Sequence, residues 1–233
     1  MVKSMSVRKV NQFNLPEDTI NILINGVPLG TITKTTQTLS IDDFIFQKYK
    51  CTYAKVVHDD IVIFDSENGE PQEYTQYHKA FDFNIFYSEK EKLLFSEATT
   101  PITKVFLKKL KGQKDVDFDY ELPNFDLQGI SNLMQQTRGV RFNSEDNGVH
   151  SKSFNGDEVD VNDEVIEALQ NSDATSLMGE IDVLNLSRTL MLTQSGSLVI
   201  FTPLNDLGAK EFPMLEFSLA ALRRVGWLNK NTN

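Results

Sequence analysis

Cysteine occurs once in the 233 residues, at Cys51. A single thiol excludes an intramolecular disulfide and any zinc site built on several thiolates, and it fits a reducing compartment. Long apolar runs are also missing. Stretches such as Leu198 to Phe201 have the length of a strand, far short of the ~18 residues that cross a bilayer. The basic residues near the start are not followed by the apolar stretch of a secretory signal. These absences lead us to expect a cytoplasmic protein without membrane association.

Positive charge is scarce too. There are 23 Lys and Arg against 33 Asp and Glu, a formal charge of −10. Such a field repels phosphate backbones, which disfavours nucleic acid as a partner but leaves room for a local basic surface. Hydrophobic residues make up 40% and charged residues 24%, near the globular average. A chain of this size can therefore build a core without metals or disulfides.

The motifs of common catalysis are lacking. No G-x-x-x-x-G-K-[ST] loop occurs, no G-x-G-x-x-G follows a strand, and the kinase set is absent. The three histidines, His58, His78 and His150, are far apart, with no H-E-x-x-H and no paired C-x-x-C. His58-Asp59 lacks the earlier histidine that a metal phosphohydrolase of the H…HD…D type needs. Asp82, Glu97 and Lys104 follow a loosely nuclease-like order, without the E-x-K of one strand. Ser195-Gly196-Ser197 lies between strands rather than at a strand-to-helix elbow. The densest carboxylates, Asp157 to Glu164, depart from EF-hand order and are partly accounted for by helix capping at Asn162. Cys51 reads as a small buried hydrophobe. No catalytic residue, metal ligand or cofactor site is expected.

What the chain does have is alternation. Ile20 to Ile24, the turn pair Asn25-Gly26, and Val27 to Thr33 predict an opening hairpin. Pro28 should confine the second strand to an edge or displace the turn. Ser40 to Phe46 suits a short capped helix or a strand equally. Thr52 to Val57 and Ile61 to Phe64 flank His58-Asp59-Asp60, predicting a second hairpin, and Ser66 to Gln72 reads as a polar loop around Asn68-Gly69. Phe81 to Tyr87 alternates as a half-buried strand and turns through Ser88 to Lys92 into Leu93 to Phe95.

Helical spacing follows. Thr100 and Pro101 open a helix with Ile102, Val105, Phe106 and Leu110 on one face and lysines in its last turn. Val116 to Tyr120 alternates as a strand. A second helix is expected from Asp126, with Leu127, Ile130, Leu133 and Met134 inward and Gly139 past its end. Val140 to Phe142 and Val149 to Phe154 read as strands, and Asn162 caps a helix carrying Val165, Ile166 and Leu169. Ile181 to Leu186, Leu190 to Thr193 and Leu198 to Thr202 are strands before a closing helix.

The fold class is therefore α+β: a mainly antiparallel sheet built from hairpins, with three to four helices packed on it. Residues 1–142 read as a hairpin-rich region and 143–233 as a C-terminal α+β region, or the two form one continuous domain. Two surfaces stand out. Lys104, Lys108, Lys109 and Lys111, with Arg138 and Arg141, make a candidate basic strip if the sheet gathers them. Phe212, Leu215, Leu219, Leu222 and Trp227 make a C-terminal apolar face that must cover either the chain's own sheet or a partner.

The leading functional expectation is a non-catalytic cytosolic protein that binds another macromolecule. It would be a protein-interaction or regulatory subunit with a protein partner or with itself. One alternative is a nucleic-acid-binding or nuclease-like component of a defence or mobile-element system. Another is an acidic inhibitor that mimics nucleic acid.

Overall fold

The computed structural model describes residues 3–64 and 69–228. Hairpins build its first half: β1 (Lys3–Asn14), β2 (Thr19–Ile24), β3 (Val27–Ile41), β4 (Phe44–Phe64), β5 (Pro71–Ser88) and β6 (Leu93–Ser96). There follow α1 (Thr100–Lys111), β7 (Asp117–Glu121), α2 (Leu127–Ser131), β8 (Gln136–Asn143), β9 (Ser151–Asn155) and α3 (Asp163–Gln170). The chain closes with β10 (Ala174–Val183), β11 (Leu186–Thr193), β12 (Ser197–Ile200) and α4 (Pro213–Arg224).

All strands join one antiparallel sheet in the order β2-β3-β4-β5-β6-β1-β12-β11-β10-β8-β9, with β7 paired to β1 beside this path. At 52% strand and 19% helix, the chain is α+β but more dominated by sheet than its patterning implied. None of the helices among the described residues is long and apolar enough to cross a membrane.

Most turns sit where their residues allow them. Asn25 (φ 52°) and Gly26 (φ 81°) join β2 to β3, as a tight hairpin turn requires. Ser40 to Phe46 becomes the end of β3, a turn at Asp42 (φ 51°) and the start of β4. At the C-terminus of α4, Gly226 takes φ 76°, the Trp227 amide donates to Leu222 and the Gly226 amide to Arg223. This left-handed stop satisfies carbonyls that the helix would leave open.

Four expectations need correction. His58-Asp59-Asp60 is not a turn: β4 runs straight through it, absorbing one extra residue as a bulge between His58 and Ile61. A polar triplet fits a strand when neither face is buried, as is true there. The second helix is short, and Gly139 lies inside β8, opposite Met178. The Gln135 amide already donates to Glu180 at 2.7 Å, so pairing with β10 overrides the local helical spacing. Ile181 to Leu186 is split by a turn at Leu184 (φ 55°) and Asn185 (φ 61°). Pro28 sits in an interior strand, but β3 pairs with β4 only from Gly30 onward, so no amide is needed there. The Asn68-Gly69 loop falls partly on residues 65–68, outside the described residues.

The alternation of β4, β5 and β6 fills two cores on opposite faces. Tyr49, Cys51, Phe83, Ile85 and Leu94 face α1, with Phe106 between Phe83 (centroids 5.1 Å apart) and Tyr53 (6.1 Å). Phe46, Phe86, Leu93 and Phe95 face the other way, into a larger core with α2, α3 and α4. Both faces of the central strands are thus covered, which is why Leu93-Leu94-Phe95 reads as a continuous apolar run.

That larger core contains a buried cation. The Arg188 guanidinium is 1% exposed, donates to Asp206 at 2.5 Å and to the Pro203 carbonyl, and lies over the Phe217 ring. Arg188's hydrogen bond holds the Asp206 carboxyl below its ordinary range. Its contribution to stability is therefore present above that range and is lost as pH falls through the lowered pKa.

Replacing Phe106 with alanine should cost about 3–5 kcal/mol, since the ring is fully buried between sheet and helix. Chemical denaturation checks this, and an unchanged midpoint would place the ring outside the core.

Candidate interaction surface

The expected basic residues fall into two groups. Lys104, Lys108 and Lys111 point outward from α1 and Lys109 is half-buried. Lys111 is ion-paired with Asp119, and their hydrogen bond raises the lysine's pKa and lowers the carboxylate's. Arg138 and Arg141 lie on β8, and β12, β11 and β10 separate that strand from β1, on which α1 packs. Arg138 is already held by Glu180 (2.7 Å) and Asp157 (2.8 Å). Arg141 is exposed and donates to the Ser151 hydroxyl at 3.0 Å.

The C-terminal apolar face packs on the chain's own sheet. Leu215, Leu219 and Leu222 are fully buried in the larger core. Phe212 meets Phe86 edge-on, and the Trp227 indole donates to the Pro123 carbonyl at 2.7 Å while packing against Phe125.

Other chemical groups are tied into the framework. Glu97 accepts from Asn84 at 2.6 Å, and Asp157 faces Arg138. Cys51 is buried, which pushes its thiol well above the ordinary range and disfavours a nucleophilic thiolate. Among the described residues no three His, Cys, Asp or Glu side chains cluster as a metal site. A groove of about 710 Å³ runs over the open face of β8–β11, lined largely by Ser, Thr and Asn, with Met178 and Met191. Arg141 is its one charged lining residue, and a general acid–base pair is not formed there.

The feature that sequence reasoning missed is the outer part of the β4–β5 hairpin. β4 loses its β3 neighbour beyond Tyr53, and β5 gains β6 only from Ile85. Among the described residues, 54–64 and 71–80 therefore pair only with each other, from Ala54 opposite Ala80 to Phe64 opposite Pro71. At ~3.3 Å per residue this ribbon projects about 35 Å beyond Tyr53.

Cross-strand partners share a face, so the register shows what the ribbon presents. Val57/Tyr77, Val62/Glu73 and Phe64/Pro71 occupy one face, and Val56/His78, Ile61/Tyr74 and Ile63/Gln72 the other. Phe64 is 73% exposed, and Val62, Ile63 and Tyr74 are also exposed. Reading His58-Asp59-Asp60 as a turn cut this arm in two. The β-prone Tyr74-Thr75-Gln76-Tyr77 carried the signal for its return strand.

No protein-family model matches the chain, and no curated protein matches it.

The arm contributes to neither core. Replacing residues 55–79 with an Asn-Gly turn should therefore leave the body folded, within roughly 0.5 kcal/mol of the original stability. Urea denaturation measures this, and a large loss would show that the arm supports the body.

Proposed function

We propose that this is a non-catalytic cytosolic protein that binds another macromolecule through the β4–β5 arm, as a subunit of a complex. The exposed two-stranded arm is the observation that carries this reading. A two-stranded hairpin alone in water is marginally stable. This one also sets Lys55 directly opposite Lys79, a destabilising like-charge pair. Among the described residues neither of its backbone edges has a neighbouring strand, and free edges of this kind invite pairing with another chain.

Large apolar side chains commonly anchor an interface, with a polar rim around them. Val62, Ile63, Phe64 and Tyr74 have that character, and Asp59, Asp60 and Glu73 lie beside them on the ribbon. The remainder of the chain serves as a rigid base, and we take the two regions read from the sequence as one folding unit on a shared sheet. The acidic arm gives no support to a nucleic-acid-binding reading.

A photoreactive amino acid placed at Val62 or Tyr74 in living cells should give discrete cross-linked species. The same probe at Lys90, on the exposed β5–β6 turn, should not. Denaturing electrophoresis followed by peptide mass spectrometry reads the outcome. Absence of any arm-specific adduct would count decisively against the proposal.

A further inference from the structure

We infer that the arm's partner is a second copy of this chain, seated across α1 and the adjoining β2–β3 turn. The inference rests on the reading of the arm as a docking element and adds the identity of what it meets. Charge is the first observation. Among the described residues between Val56 and His78 there are four acids, Asp59, Asp60, Glu70 and Glu73, and no lysine or arginine. A partner for this segment must be basic as well as apolar.

The outer side of α1 offers such a surface. Lys104 and Lys108 stand one helical turn apart on the outer side of α1, with Lys114 exposed beyond its end. Among the described residues Lys104, Lys108, Lys109 and Lys114 form no ion pair. Apolar area adjoins them. The Gln113 side chain clasps the edge strand by accepting from the Leu23 amide (3.0 Å) and donating to the Leu23 carbonyl (3.2 Å). It also donates to the Lys109 carbonyl at 2.9 Å. Exposed Leu23 and Val27 thereby sit beside the basic end of the helix.

The same arm cannot reach its own helix with its tip. Phe106 of α1 packs against Tyr53, so α1 lies at the arm's root. Asp59 to Phe64 lie six to eleven residues farther along β4, about 20–35 Å away at strand spacing. A lysine side chain spans only a fraction of that distance, so the acids and lysines meet between copies. Eleven residues of β4 and ten of β5 are close to the roughly 20–30 residues a side of a standard interface.

Arm and helix are different surfaces, so the contact is head-to-tail. Repetition then gives a ring, or a filament if the rotation does not close.

The test uses purified full-length chain and light scattering across a concentration series. Wild-type mass should rise with concentration, and the association should weaken at least tenfold as ionic strength goes from about 0.05 to 0.5 M. An arm variant, Ile63→Lys with Phe64→Lys, and a helix variant, Lys104→Gln with Lys108→Gln, should each remain monomeric. All four positions are exposed, so both variants should keep the wild-type denaturation midpoint. Mixed in equal amounts, they should form a 1:1 heterodimer that grows no further, since one intact arm and one intact helix remain.

A wild-type chain that stays monomeric while arm cross-links capture a different protein would overturn the inference and leave the proposed function standing. A wild-type chain that assembles while the two variants fail to pair would overturn α1 as the seat. Loss of every arm adduct would remove both readings.

Discussion

Strand β1 is the element on which the rest of the structure depends. Lys3 to Ser6 pair with β12, Ser6 to Lys9 with β6, and Lys9 to Asn14 with β7 across a bulge between Val10 and Gln12. One strand from the start of the described chain thus splices the hairpins that precede α1 to the strands that precede α4. Closing contacts this distant in sequence is entropically slow, because loop closure must come before the contacts that reward it. The junction also holds Arg8, buried with its Nη1 donating to the Val7 carbonyl at 2.6 Å and its Nε without a partner among the described residues. Burial lowers its pKa, with Tyr120 opposing that shift. A buried cation without a carboxylate is costly, and the surrounding ladders have to offset that cost.

The splice explains the distribution of apolar residues. Because β1, β6 and the inner half of β5 are interior strands covered on both faces, Phe86 can break the alternation of Phe83, Ile85 and Tyr87 and still be fully buried. Farther out the cover ends. The inner half of the β4–β5 hairpin belongs to the body, and the outer half belongs to neither core. One pair of strands therefore passes from a doubly buried environment to one exposed on both faces, and its sequence changes from Phe and Ile to Asp, His, Gln and Tyr.

Local patterning was legible wherever burial imposed a period. The face of α1, the Asn162 cap of α3 with its side chain accepting from Glu164 and Val165, and the existence of a closing helix were all readable. So was the alternation of Phe81 to Tyr87. It failed where partners distant in sequence decide the conformation. Gln136 to Asn143 is strand because β10 and β9 flank it, although Leu133 and Met134 continue the spacing of a helix. The arm was illegible for the opposite reason: with no core to face, residues 54–64 have no required period, and a polar triplet looks like a turn. The lysines of α1 were visible as a basic helix face, but the arm itself emerged only with the strand register. Neither Arg138 with its two carboxylates nor the buried α4 leucines could be placed before the sheet order was known.

The body thus holds an element that its own core does not stabilise, and on the proposed reading the arm gains its order from contact with another chain. Amide hydrogen exchange at several protein concentrations tests it directly. Amides of β1 and β6 should be the slowest at every concentration. Amides of residues 54–64 and 71–80 should exchange fast at high dilution and become protected as the concentration rises. An arm as protected as β1 at the lowest concentration would contradict the account, because its order would then come from its own chain alone.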